Sequence, residues 1–147
     1  MKKAIACLLL FTLLFTTPAM ATQSQIKQVL STAMEQLGKP YDLFSDAPNS
    51  FNCCSFVMYC FNRVSNGTIS NGRIKGNYEK VTSMKKLRPG DIVCFKGSKQ
   101  QKGILGYHFG IYMGRGYFIN AKNKREGVTV SKVKDYKKRF VGAIRVF

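Results

Sequence analysis

Apolar and polar positions along this chain fall into two regimes, a helical period in the first half and alternation in the second. Ile26, Leu30, Ala33 and Leu37 recur at helical spacing, joined by Val29 and Met34, which predicts a helix over residues 23–37. Gly38 followed by Pro40 stops it. A polar loop over residues 39–50 then delivers the chain to Asn52-Cys53-Cys54-Ser55-Phe56-Val57. Cys53, Val57, Cys60 and Val64 fall on one face of a second helix, and Asn52 is a good cap because its side-chain oxygen can accept from first-turn N–H groups. Residues 65–80, rich in Asn, Gly and Ser, read as a long surface loop.

From Met84 onward the pattern is that of strands. Leu87-Arg88-Pro89-Gly90-Asp91 is a turn before the apolar run 92–95, and a basic glycine-containing loop spans 97–106. Residues 107–113 alternate, Gly114-Arg115-Gly116 turns the chain, and 117–119 return as a hairpin. With 128–130 and 141–146 this makes about five strands. Helices followed by strands predict an α+β fold, with N-terminal helices packed on a roughly five-stranded antiparallel sheet.

The beginning of the chain stands apart. Lys2 and Lys3 precede an apolar run over 4–15, then Thr16-Thr17-Pro18-Ala19-Met20-Ala21. This is the charged region, short apolar core and A-x-A site of a secretory signal, so residues 1–21 are expected to be a signal peptide and 22–147 one exported domain. The run is too short to span a bilayer, which takes about 20 residues. The chain of 147 residues has a formal charge of +17, and loss of Lys2 and Lys3 lowers it to +15. That balance favours polyanionic partners. No zinc-finger spacing, RNP-type motif or basic zipper is present, so no nucleic-acid partner is expected.

Cys53, Cys54, Cys60 and Cys94 remain after the leader. Three share one helix, which disfavours a compact disulfide framework; Cys60 with Cys94 is the one pairing left open. With a single histidine and no C-x-x-C pair, no metal is expected. A buried, inert packing cysteine and a structural histidine are one reading of this inventory, and nucleophilic catalysis is the other. Cys53, on the first turn of a helix, lies at the end of the dipole that favours a thiolate. His108 is the only histidine, hence the only imidazole base. Asn120 ends the strand that returns from the 114–116 turn, where a hairpin would bring it beside His108 to orient the ring, a Cys–His–Asn set.

Four ordered blocks then resemble the NlpC-type cysteine peptidases, papain-like domains that cleave bacterial stem peptides. Gly38-Lys39-Pro40-Tyr41 resembles the family's G-x-P-Y, and 51–57 resembles F-D-C-S-G-F-V. Leu87-Arg88-Pro89-Gly90-Asp91-Ile92-Val93 resembles L-x-P-G-D-L-V. His108-Phe109-Gly110-Ile111-Tyr112-Met113-Gly114 with Phe118-Ile119-Asn120-Ala121 resembles H-V-G-I-Y-x-G and F-I-H-A. The resemblance implies Cys53 as nucleophile, His108 as base, Asn120 as the third polar residue (usually histidine), and Tyr41 lining the nucleophile's pocket and assisting the oxyanion together with the Cys53 N–H. Cys54 falls on the family's serine. Asn52 stands for aspartate, Ser55 for glycine, and Leu43-Phe44-Ser45 for a Gly-Gly in the cleft loop.

The function this implies is a secreted or periplasmic cell-wall hydrolase that cuts amide bonds in peptidoglycan stem peptides, beside a γ-D-glutamyl unit, without a cofactor. Anionic wall polymers are the expected second partner of a monomer without a membrane span, drawn by Lys99, Lys102, Lys122, Lys124 and Arg125. The rival readings are an amidase or acyltransferase, an antibacterial effector with the same Cys–His pair, and a non-catalytic basic wall-binding protein.

Overall fold

The computed structural model describes residues 18–65, 67–70, 73–98 and 106–147. Most of the expected leader therefore lies outside the described residues. In chain order the elements are α1 (Pro18–Met34), α2 (Cys53–Val64), β1 (Ile69–Ser70), β2 (Arg73–Ile74), β3 (Glu79–Val81), a 3-10 turn (Met84–Lys86), β4 (Ile92–Lys96), β5 (Tyr107–Gly114), β6 (Tyr117–Ala121), β7 (Val128–Lys132), a second 3-10 segment (Val133–Arg139) and β8 (Phe140–Arg145). β1 and β2 form a small hairpin, and the other six strands form one sheet in the order β3-β8-β4-β5-β6-β7. Every pairing in it is antiparallel. The expected α+β architecture is present.

Two local expectations are corrected. α1 ends at Met34, and the chain then unwinds through Gln36 N–H to Ala33 O and Leu37 N–H to Met34 O before Gly38 at φ 80°. The tighter turn rotates Leu37 off the buried face, leaving it 41% exposed, while Gln36 takes the inward place at 4%. The segment 65–80 is not simply a loop: it supplies β1, β2 and the start of β3, so the sheet has six strands rather than five. Its few apolar residues explain this. Ile69 and Val81 are buried, and the Asn62 side chain grips Ile69 like a neighbouring strand, donating to its carbonyl at 2.8 Å and accepting from its N–H at 2.9 Å.

The sheet buries both faces by alternation. On β4, Ile92 packs on the helix side with Val29, Ala33, Phe56, Val57 and Phe61, whereas Val93 and Phe95 pack on the other side with Phe118, Val133 and Tyr136. Full burial of each such side chain contributes about 1.5–3 kcal/mol. On β6, Ile119 and Ala121 point to the helices, and Phe118 to the second cluster. Cys60 sits in the helix-side core of α2, and all four described cysteines are free, so the Cys60–Cys94 pairing is not formed. Cys60 lies on the second turn of α2 beyond Cys53 and near Glu35, whereas Cys94 is close enough to Cys53 to feel its charge.

One polar knot closes the sheet. The Arg145 guanidinium at the end of β8 grips Asp91 through Nε to Oδ1 and Nη2 to Oδ2, both at 2.9 Å, reaches Glu79 Oε2 at 2.8 Å and donates to Lys86 O at 3.0 Å. Asp91 is fully buried and also accepts from Arg88 N–H at 2.8 Å. The turn Pro89-Gly90-Asp91 thus fixes β3, β4 and β8 against one another, and the two-pronged carboxylate contact is the strong geometry for such a pair. Arg145→Ala strands that carboxylate in the core; urea denaturation is expected to show a loss of about 3 kcal/mol or more, while Glu79→Ala, at the exposed end, costs under about 1 kcal/mol.

Candidate active site

The site is built where α2 begins. The Asn52 side-chain oxygen accepts from Cys54 N–H and Ser55 N–H, both at 2.9 Å. Ser55 Oγ accepts in return from Asn52 N–H at 3.0 Å, completing a reciprocal cap. The serine that replaces the resembled family's glycine is therefore used. Cys53 is the first helical residue, and its side chain is 1% exposed.

β5 meets this helix start with a stretch of strand beyond its register with β6, which runs from Gly114↔Tyr117 to Ile111↔Ile119. Cys53 Sγ lies 3.8 Å from Tyr107 O, and as a thiolate it accepts from Phe109 N–H. His108, between those two residues, is 1% exposed and hydrogen-bonded to the same sulfur. Its ring stacks on Tyr136 at a centroid distance of 6.0 Å and 20° between planes.

Asn120 sets the tautomer. Its amide nitrogen donates to Thr129 O and to Ser131 Oγ, both at 3.1 Å. A carbonyl can only accept, so the NH2 end must face β7 and the oxygen must face His108. That oxygen lies 2.8 Å from His108 Nε2, which must therefore carry a proton and donate. In the neutral ring Nδ1 is then the free acceptor, the atom a thiol proton requires. Gly110 allows this closeness. A Cβ there would lie 2.5 Å from the Phe118 ring, 2.8 Å from Ile119 O and 3.0 Å from Asn120 Cβ, so a side chain would push β6 and Asn120 away.

The electrostatics separate the two adjacent thiols. The Cys54 thiol donates to Cys53, and His108 adds a hydrogen bond and a positive charge; together these outweigh burial and hold Cys53 well below an ordinary thiol. Cys54 is pushed up by the same contact and by burial. Burial and the Cys53 charge push Cys94 up to about 11. Burial, then the charges of Cys53, Cys54 and Asp42, raise the Tyr41 phenol, which stays neutral. Tyr41 is placed by a parallel bridge to Phe51.

The structure thus gathers Cys53, His108, Asn120 and Tyr41. Sequence reasoning missed Ser131, Thr129 and Tyr136; the one signal was a serine at an inward position of an apolar strand. Of the basic residues expected at the rim, Lys99 and Lys102 lie outside the described residues, Lys122 pairs with Glu126 at 2.6 Å, and Arg125 reaches the same carboxylate at 4.0 Å. Among the described residues no cluster could hold a metal ion.

Comparison with known proteins places these features in context. The profile described as the NlpC/P60 family matches residues 38–145. Probable endopeptidase p60 of Listeria grayi is 29% identical over 113 residues, 77% of this chain and 21% of its own length. Probable peptidoglycan endopeptidase LytE of Bacillus subtilis (strain 168) is 27% identical over 126 residues, 84% of this chain and 35% of its own. The chain spans less than half the length of these curated relatives. The crystal structure of the NlpC/p60 domain of peptidoglycan hydrolase SagA superposes with a TM-score of 0.62 at 25% identity, covering 81% of this chain and 97% of that one.

A lowered thiol pKa means that the thiolate persists as pH falls and protonates only below the shifted midpoint. Thiolate absorbance is expected to show one group titrating well below the usual value of about 8.5, absent in Cys53→Ala. In Cys54→Ala the loss of the S–H donor should move that midpoint upward; an unmoved midpoint would mean that Cys54 does not tune its neighbour.

Proposed function

The chain belongs to the NlpC/P60 family, and from that premise we propose that it is a secreted cell-wall hydrolase cutting amide bonds of peptidoglycan stem peptides through Cys53. The observation that supports this most is the fixed tautomer of a buried histidine hydrogen-bonded to a thiol at the start of a capped helix. Residues 1–21 direct export and are removed, and 22–147 form the catalytic domain.

In this reading the Cys53 thiolate attacks the amide carbonyl, forming a C–S bond. The oxyanion is met by the Cys53 backbone N–H, assisted by the Tyr41 hydroxyl. His108 Nδ1–H gives its proton to the leaving amine as the C–N bond breaks. Water then attacks the thioester; His108 Nδ1 takes its proton, and the thiolate leaves with the new carboxyl product released. Asn120 accepts from His108 Nε2 throughout and keeps the ring in plane.

The test is product analysis. Incubated with purified peptidoglycan under reducing conditions, the protein should generate new amine and carboxyl termini identifiable by mass spectrometry. Cys53→Ala should generate none and Cys54→Ala should keep most of the turnover at neutral pH. A dead Cys54→Ala protein beside an active Cys53→Ala protein would reverse the assignment; no products from any form would leave the hydrolase reading without support on this substrate.

A further inference from the structure

Asn52 does more than cap α2. Its amide nitrogen donates to Leu43 O at 2.9 Å and to Ser45 Oγ at 3.4 Å. The oxygen end is fixed by two backbone N–H donors and the nitrogen end by a carbonyl, so both roles need an amide. An aspartate could cap the helix and could not donate to Leu43. Two of the chain's departures from its family's pattern, Asn52 and Leu43-Phe44-Ser45, are therefore two halves of one contact.

The loop so held is braced by its own hydrogen bonds. Phe44 N–H donates to Asp42 Oδ1 at 3.1 Å and Ser45 N–H to Asp42 O at 3.2 Å. Asp46 N–H donates to Ser50 Oγ at 2.9 Å, and Asn49 Nδ2 to Asp46 Oδ2 at 3.0 Å. Ser45 sits at φ 26°, a conformation that side chains other than glycine rarely adopt. All this order presents a phenyl ring to water: Phe44 is 90% exposed, the most exposed large apolar side chain among the described residues. A ring with no intramolecular partner contributes nothing to the core, and strain maintained to display one is the mark of a contact surface. Tyr107, whose carbonyl meets Cys53 Sγ, is 41% exposed as well, so one exposed aromatic ring stands on the strand that meets the thiol and another on the loop that Asn52 holds.

We propose that Phe44 is a specificity-determining finger of the active site, held at the nucleophile's cap by Asn52, that stacks on an uncharged C–H face of the substrate. This rests on the hydrolase reading. Such a face comes either from a sugar ring of the glycan strand or from an aliphatic part of the stem peptide, and the experiment separates the two.

Steady-state kinetics would be measured on a glycan-free stem peptide and on the same peptide carrying its disaccharide. Phe44→Ala removes an exposed ring, so folding is not at risk; it should raise KM about tenfold or more with kcat little changed. Phe44→Tyr should keep the wild-type KM. Ser45→Gly, which releases the strain and removes one acceptor of Asn52, should raise KM although the ring remains. A rise confined to the glycan-bearing substrate assigns the sugar face, and an equal rise on both assigns the peptide. Unchanged KM on both in Phe44→Ala, or a Phe44→Tyr protein as impaired as Phe44→Ala, overturns the proposal. Should the wild-type protein turn over neither substrate, the hydrolase reading fails separately; calorimetric binding of the disaccharide peptide, equal for wild type and Phe44→Ala, would then overturn the finger as well.

Discussion

The reciprocal cap of Asn52 on α2 is the contact on which the site depends. It sets the first helical residue at Cys53, so the thiol lies at the positive end of the helix dipole. The same side chain holds the loop at Leu43 through its amide nitrogen. One residue therefore positions the Cys53 thiol, favours its anionic form and fixes the loop at Leu43. A helix that began one residue later would put Cys54 in the first helical position that Cys53 now holds. Only Cys53 is met by His108, Phe109 N–H and Cys54 together.

The opposing half of the site depends on close strand approach. β6 brings Asn120 within 2.8 Å of His108 Nε2 only because residue 110 has no side chain. β7 then fixes Asn120 from behind through Thr129 and Ser131. The imidazole is held by a hydrogen bond at one edge and by the Tyr136 ring on its face, so it has little rotational freedom to lose when the reaction begins. A neutral amide suffices for this task. It orients the ring without adding a buried charge that would itself need a partner.

Much of this could be read from the residues, and the failures have identifiable causes. The cysteine helix announced itself by period, and Asn52 by its capping chemistry. The His108–Asn120 approach followed from the Gly114-Arg115-Gly116 turn, because a hairpin must bring its two ends together. Strand β3 and the β1–β2 hairpin escaped because their apolar residues are isolated: Ile69 and Val81 are buried by a side-chain grip and a sheet edge, neither of which leaves a period in the sequence. The helical period runs on to Leu37 in the sequence, past the point where 3-10 bonds end the helix in the structure. Ser55 stands in the sequence only as a replacement for glycine, and the geometry reveals its hydroxyl as half of the cap. The Arg145–Asp91 knot joins residues far apart in the chain, a relation that no local pattern encodes.

The surplus of basic residues acts on a different scale from these contacts. The chain has seven acidic residues, and the structure commits most of them to local order. Asp91 and Glu79 engage Arg145, Glu126 engages Lys122, and Asp42 and Asp46 brace the loop that carries Phe44. These acids are outnumbered by 24 lysines and arginines, so wherever they sit the surroundings of the protein are cationic. That field has a range of about 8 Å at physiological salt and does not discriminate among amide bonds. It can raise the local concentration of an anionic surface. Discriminating one bond from another requires contacts shorter than the screening length, and near Cys53 the groups available at that range are the Tyr41 phenol and the Tyr107 carbonyl.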